Sequence, residues 1–352
     1  MASWTDLPAE VLALPRRGTV LPAHPLALDE RRQFDRVSQR ALARYYIDAG
    51  AGGLAVGVHA TQFAIREAGL FRPVLELAAE TAQSWSRRPL LLIAGVIGRT
   101  EQALHEAQLA RALGYHAVLL GLSHLRGASE DDLIEHCRAI ARVVPVIGFY
   151  LQTAVGGIAL SRAFWARFAE IDNVIAIKVA PFDRYKTLDV AFGVVAAGAH
   201  DRITLYTGND DHIVADLVTP MCIRSGTREA ILRFKGGLLG HWSVWTKPAV
   251  ALLARAHAAA GSGAVPDDLL ALDAMVTDCN SVIFDVGNRF AGCIAGCHEV
   301  LRRQGLMLTA HCLDPQEGLS PGQAAGIERI TAAYPELNDN AFVNANLERW
   351  RS

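Results

Sequence analysis

Pro145-Val146-Ile147-Gly148-Phe149-Tyr150 and, 29 residues further on, Val174-Ile175-Ala176-Ile177-Lys178-Val179 are short apolar runs with a polar group at or near the C-terminal end. Runs of this kind read as strands buried on both faces, the habit of a parallel sheet covered by helices. Working outward, similar runs fall at Thr19–His24, Gly52–Val58, Pro89–Val96, Ala117–Leu122, Ile203–Gly208 and roughly Ile231–Ser243. Between them lie helically spaced segments, such as Thr100–Leu113 with Ala103, Ala107 and Ala110 on one face, and Glu130–Val143 with Leu133, Ile134, Cys137 and Ile140. Eight strand–helix units at a near-constant period predict a closed (β/α)8 barrel, because an open doubly wound sheet usually stops at five to seven strands.

Beyond Pro248 the strand pattern ends. Ala249–Ala260, Pro266–Phe284, Ala291–Gln304 and Pro321–Ala333 read as helices. The expectation is an α/β fold: a TIM barrel with its N-terminal lead-in over 1–248, and a helical C-terminal extension with a tail over 249–352. The polar, Asn-rich stretch Tyr334–Ser352 is expected to be a tail or an arm packed on a neighbouring molecule.

Composition narrows the class. The chain has 352 residues, 51% hydrophobic and 20% charged, which excludes intrinsic disorder. With 34 basic and 36 acidic residues and no dense basic run, phosphate neutralisation is not expected, so no nucleic-acid partner is assigned. The weakly polar runs Ala49–Ile65 and Pro89–Gly98 are too short or too interrupted to span a bilayer, and the first residues lack a signal pattern. A soluble, cytoplasmic protein without a membrane partner is expected. The six cysteines (Cys137, Cys222, Cys279, Cys293, Cys297, Cys312) form no CxxC pair and read as buried thiols. Gly50-Ala51-Gly52-Gly53 precedes a strand rather than following one, so it is not a dinucleotide-binding turn.

Barrel chemistry sits at the C-terminal ends of the strands. The polar residues there are His24, His59, Thr61, His124, Tyr150, Lys178, Asn209, Asp210, Asp211 and His241. Lys178 has no charged neighbour from Asn173 to Asp183, so its ammonium is desolvated and its neutral amine is available to attack a carbonyl. The competing reading pairs it with a buried carboxylate such as Asp210. Tyr150 ends the preceding strand and can be either a proton carrier beside that amine or a rim tyrosine with its hydroxyl in water.

Tyr150 and Lys178, 28 residues apart at the ends of strands five and six and followed by a helical extension, resemble the dihydrodipicolinate synthase / N-acetylneuraminate lyase family of class I aldolases. Gly18-Thr19-Val20-Leu21-Pro22-Ala23-His24-Pro25-Leu26 looks like that family's opening strand. Ile93-Ala94-Gly95-Val96 looks like its third strand, and Thr207-Gly208-Asn209-Asp210 like its S-G-x-D turn. The resemblance covers about Gly18 to Gly305. It implies that Lys178 forms a Schiff base with a pyruvate-like 2-oxo acid and that Tyr150 moves its protons. It implies C–C bond cleavage or formation, or dehydration, with no metal and no organic cofactor.

The departures are as informative. The family's carboxylate-holding G-T-T-G-E becomes Gly57-Val58-His59-Ala60-Thr61, where His59 is either structural or a substrate or acid–base residue. Gly57, Val58, His59, Thr61, His124, Asn209 and Asp210 are the expected substrate-binding residues. Val155 stands where the synthases place an arginine for a second carboxylate, which argues against tetrahydrodipicolinate synthesis. Phe63, Phe149, Phe182, Trp242 and Trp245 near strand ends either fill the barrel top or leave room for a non-sugar or aromatic aldehyde partner, as in the family's hydratase-aldolase branch. A homodimer or homotetramer is expected. Two rival readings stand: a metal-dependent barrel enzyme using His24, His59, Asp210 and His241, and a non-catalytic ligand-binding relative with an altered carboxylate loop.

Overall fold

The computed structural model describes residues 2–352. The strands in chain order are β1 (Val20–Pro22), β2 (Gly53–Val56), β3 (Leu91–Val96), β4 (Ala117–Leu120), β5 (Val146–Leu151), β6 (Val174–Ala180), β7 (Thr204–Thr207), β8 (Met221–Ser225), β9 (Arg228–Leu232) and β10 (Phe234–Leu239). Eight of them form one parallel sheet in the order β1-β10-β7-β6-β5-β4-β3-β2. The ring closes through an Ala23–Ala55 bridge, with His24 N–H donating to Ala55 C=O at 2.8 Å and Gly52 N–H to Val20 C=O at 3.0 Å. The expected barrel is the observed one.

Side chains alternate across each strand, so every barrel strand feeds two separate apolar layers. Leu21, Ala55, Ile93, Leu119, Ile147, Phe149, Ala176 and Leu238 fill the interior, with Val11 and Leu14 of the N-terminal helix α1 (Ala9–Arg17). Tyr206 donates its hydroxyl to Pro15 C=O, so α1 is tied beneath the barrel and seals its N-terminal end. The outward-facing residues pack against the ring helices α2 (Arg36–Ala49), α3 (Phe71–Trp85), α4 (Thr100–Ala112), α5 (Glu130–Ala141), α6 (Arg162–Ala169), α7 (Arg184–Ala196), the short α8 (Ile213–Val218) and α9 (Thr246–Ser262).

Two elements differ from the sequence reading. The expected eighth strand, roughly Ile231–Ser243, is the shorter β10. Ile231 belongs instead to an antiparallel β8–β9 hairpin that packs on α7. Its two-residue turn is Gly226-Thr227, and Gly226 at φ +59° supplies the positive φ that such a turn requires at its first position. Cys222, on the outer face of this hairpin, is exposed rather than buried.

The second difference concerns the end of the chain. After α10 (Asp267–Ile283), α11 (Cys293–Arg303) and α12 (Gln323–Ala333), the expected tail is an ordered helix, α13 (Asn340–Arg351), packed on α2 of its own chain. Trp350 is fully buried and donates to Asp48 at 2.6 Å, while Tyr45 donates its hydroxyl to Asp339 at 2.6 Å. Among the described residues, no helix is long and apolar enough to cross a membrane.

One buried ion pair anchors the loop after β2 to the rim of β3. Arg66 binds Glu106 through two hydrogen bonds of 2.8 Å and reaches the carbonyls of Gly95 and Gly57, with side-chain exposures of 7% and 5% for the pair. The guanidinium also lies 4.4 Å from the centre of the Phe71 ring. Removing one partner of such a pair strands a charge in an apolar setting, at a cost of roughly 3–5 kcal/mol. The Glu106→Ala variant is expected to lose stability of that order in a denaturant titration; a loss below about 1 kcal/mol would show that water reaches Arg66.

Candidate active site

Lys178 projects from β6 into the barrel and lines a cavity of about 90 Å³ at the C-terminal end of the sheet. A single water needs roughly 10–15 Å³ on this measure, so the space suits several waters or one small organic acid. Of the chain's four lysines, Lys178 is the one that lines it. Its stem crosses Gly208, where an added Cβ would lie 2.8 Å from the Lys178 Cε. Burial lowers the affinity of its amine for a proton, partly opposed by the charge of Asp210 across the cavity. Asp210 shows the reciprocal behaviour: burial raises its pKa, and Lys178 opposes the rise.

The expected Tyr150–Lys178 pair is not formed. β5 and β6 begin in register with Val146 opposite Val174, which would set Tyr150 opposite Lys178. An irregularity then shifts the pairing by one residue, so that Ile147 faces Ala176, Phe149 faces Lys178 and Tyr150 faces Val179. A one-residue slip reverses which side chains face inward. The extra residue lies on β6 and turns Lys178 inward, while β5 alternates without a break, so Phe149 sits inside with the Lys178 Nζ 4.4 Å from its ring centre. Tyr150 points out of the barrel onto Trp165, at a ring separation of 5.1 Å, and its hydroxyl is engaged by the Leu160 backbone at 3.2 and 3.3 Å.

The other expected site residues divide. Val58, His59 and Asp210 line the cavity with Lys178. Gly57 and Thr61 lie behind the wall: the Thr61 hydroxyl accepts from Gly57 N–H at 2.9 Å and donates to His24 C=O at 2.6 Å, which fixes the loop and leaves it no part in the cavity. Asn209 is buried as a brace, accepting from Phe182 N–H at 3.1 Å and donating to Asp216 at 3.0 Å. His124 is exposed on the turn Ser123–Leu125, away from the cavity. The altered loop still presents two backbone donors, because the N–H groups of His59 and Ala60 make no hydrogen bond with the described residues. His59 packs edge-on to Phe63 at 5.7 Å, and burial with the charge of Lys178 pulls its pKa down to about 4.

The metal reading loses its geometry. His24 is enclosed beside Tyr46 and Gln39, its Nδ1 within 2.9 Å of the Gln39 amide, and His241 packs edge-on to Trp245. Among the described residues no group of three or more His, Cys, Asp or Glu side chains could hold a metal ion.

Much of the wall comes from residues that sequence reasoning did not place there. Phe284 closes α10; Phe290 follows it; Cys293, Ile294 and Cys297 lie on α11. Cys293 and Cys297 share a helix face, as their spacing of four indicates, and that face looks onto the cavity. Burial pushes the Cys293 thiol up to about 12 and raises Cys297 well above the usual thiol range, so both are neutral. Of the expected aromatics, Phe149 and Phe182 reach the cavity, whereas Phe63, Trp242 and Trp245 do not line it.

The sequence pattern of the Dihydrodipicolinate synthetase family matches residues 17–220. The chain belongs to that family. It is 31% identical over 170 residues to the 4-hydroxy-tetrahydrodipicolinate synthase of Desulforudis audaxviator, covering 46% of this chain and 55% of that protein. It is 26% identical over 202 residues to the N-acetylneuraminate lyase of Citrobacter koseri, covering 56% of this chain and 65% of that one. The chain thus spans between about half and two thirds of the length of these relatives. A prophage protein of the dihydrodipicolinic acid synthase family from E. coli K12, solved in complex with pyruvate, superposes with a TM-score of 0.73 at 18% identity, over 91% of this chain and 98% of that one. At that identity the likeness is one of fold.

The outward orientation of Tyr150 has a direct test. Removing its hydroxyl takes away hydrogen bonds to one backbone residue, worth about 1 kcal/mol, without touching the cavity. Tyr150→Phe is expected to melt slightly earlier while leaving borohydride trapping of a 2-oxo acid on Lys178 within about threefold of wild type; a 100-fold loss, the range for a removed acid–base group, would return Tyr150 to the site.

Proposed function

We propose that this chain is a class I lyase in which Lys178 forms an imine with a pyruvate-like 2-oxo acid and uses it as an electron sink for breaking or making a C–C or C–O bond. The observation that carries this reading is the position of Lys178: a desolvated amine, without an ion pair, at the floor of a cavity at the catalytic end of the barrel. Membership of the Dihydrodipicolinate synthetase family supports it, as does the pyruvate held by a structural neighbour.

In this reading the His59 and Ala60 N–H groups receive the 2-oxo acid's carboxylate, which directs the ketone carbon toward Lys178. The rest of the substrate meets an apolar surface. Lys178 and Asp210 are the charged residues of the lining, Val155 brings no charge, and Phe182, Phe284, Phe290, Leu239 and Ile294 supply hydrophobic area. A polyhydroxylated sugar would bury its hydroxyls there without partners, at about 1–3 kcal/mol each. The partner is therefore an apolar, non-sugar aldehyde.

Borohydride trapping with pyruvate and with larger 2-oxo acids, read by intact mass and peptide mapping, tests the reading. A reduced adduct on Lys178 that Lys178→Ala lacks is the expected result, and no adduct with any 2-oxo acid would sink it. The pH dependence has a defined sign. A lowered amine pKa means neutral, nucleophilic amine at lower pH, so the trapping rate should level off well below the value of about 10.4 for a free lysine.

A further inference from the structure

With Phe149 beside Lys178 and the Tyr150 hydroxyl outside the barrel, imine chemistry at this cavity needs another group to carry protons. Forming an imine requires moving a proton from nitrogen to oxygen and then protonating the departing hydroxyl, and neither phenylalanine nor the apolar wall can do either. The titratable side chains lining the cavity are His59, Lys178, Asp210, Cys293 and Cys297.

We propose, resting on the Schiff-base reading, that Asp210 is the catalytic proton carrier of this site, facing Lys178 across the cavity in place of a phenol.

Asp210 follows β7 directly, and its backbone is fixed on both sides. Its carbonyl accepts from the Asn280 amide of α10 at 2.6 Å, and the preceding Asn209 is braced by Asp216. The carboxylate is left unengaged: its Oδ1 is buried without a hydrogen-bond partner among the described residues. It does not form a direct ion pair with Lys178, and the two groups face the same space, which is where a substrate's ketone oxygen would lie. The remaining candidates fit less well. His59 is a neutral imidazole whose conjugate acid is suppressed by burial and then by the charge of Lys178, which makes it a weak base. The two thiols are held neutral by burial. Asp210 is shifted the useful way: burial raises it, Asp211 adds to the rise and Lys178 restrains it, so acid and carboxylate forms are both accessible near neutral pH.

The steps balance. The neutral Lys178 amine adds to the ketone carbon, and the carbonyl π pair moves to oxygen. Asp210 relays a proton from nitrogen to that oxygen. The carboxylic acid form then protonates the hydroxyl as the C–O bond breaks, giving water, a cationic imine and the Asp210 carboxylate. In the cleavage direction the carboxylate takes the proton of the substrate's hydroxyl. The C–C electron pair flows into the imine to form an enamine, and the aldehyde leaves.

The test uses the full chain, with pyruvate, 2-oxobutanoate and 2-oxoglutarate as probes at saturating concentration and borohydride trapping followed in time across pH. Wild type should trap on Lys178, Asp210→Asn should trap at least 100-fold more slowly at every pH, and formate should restore part of the rate to Asp210→Ala. Unchanged melting of Asp210→Asn establishes that the fold is intact. An Asp210→Asn rate equal to wild type, or a profile only displaced along the pH axis, would overturn the assignment and leave the Schiff-base reading standing, because the carboxylate would then act on Lys178 through charge alone. A loss that formate does not repair also overturns it, as the mark of a structural role. Failure of wild type itself to trap any of the probes would remove the underlying reading instead.

Discussion

The pairing between β5 and β6 decides what this cavity contains. Two parallel strands cannot change which residues face inward except by a break in register, and this pair has one at its start, between Val146 and Ile147. Had the offset of Val146 to Val174 continued, Lys178 would stand opposite Tyr150 with both side chains outside the barrel. One extra residue on β6 turns Lys178 inward, where the Phe149 ring faces it. The outward-facing tyrosine is not idle. It fills the space between β5 and α6 against Trp165, and Gly148, another outward-facing residue of β5, lets the Phe168 ring approach so closely that a Cβ would lie 2.7 Å from it. The slip thus decides that Lys178 enters the cavity, while the alternation of β5 sets Phe149 inside and Tyr150 against α6.

This also explains which parts of the molecule are legible from the residues alone. The strand period, the barrel and the isolation of Lys178 follow from local patterns, because desolvation and alternation are properties of a few adjacent residues. Asp210 at the end of β7 is legible for the same reason. A register shift inside a run of Val, Ile, Ala and Gly leaves no trace in composition, so the spacing of 28 residues between Tyr150 and Lys178 points to a contact that the folded chain does not make. The β8–β9 hairpin does carry a local signal, Ser225-Gly226-Thr227, but it lies where a helix of the repeat is expected, and the repeat masks it. The last helix is obscured differently: its polar surface hides Val343 and Trp350, whose burial depends on contacts with α2 about 300 residues away.

Buried charge serves two different ends in this structure. Arg66 and Glu106 satisfy each other fully and hold the loop after β2, and through it His59 and Ala60, against the rim of β3. Lys178 and Asp210 are left apart, each with unused hydrogen-bonding capacity, in a space whose walls offer little else that is polar. A closed pair minimises its free energy and does nothing further. An open pair is costly to bury and is tolerated where the surrounding fold is over-determined, here by the bracing of Asn209 and Asn280 on one side and the glycine beneath the lysine stem on the other.

The barrel ends supply the polar groups, but the C-terminal extension supplies much of the apolar enclosure. Phe290 meets Phe182 edge-on at 6.0 Å over the cavity, and both residues have positive φ, at +66° and +52°. Aromatic residues pay for this conformation only where packing compels it. Asp285 and Arg289, in the same connection between α10 and α11, are left-handed as well, and the Asp285 carboxylate holds the bend by accepting from Asn288 at 2.7 Å and Gly292 at 3.0 Å. Three of the seven non-glycine residues with positive φ among the described residues thus fall in the segment that brings Phe290 to the cavity. The shape of the cavity is therefore as much a property of residues 284–297, which contribute Phe284, Phe290, Cys293, Ile294 and Cys297 to its wall, as of the strands.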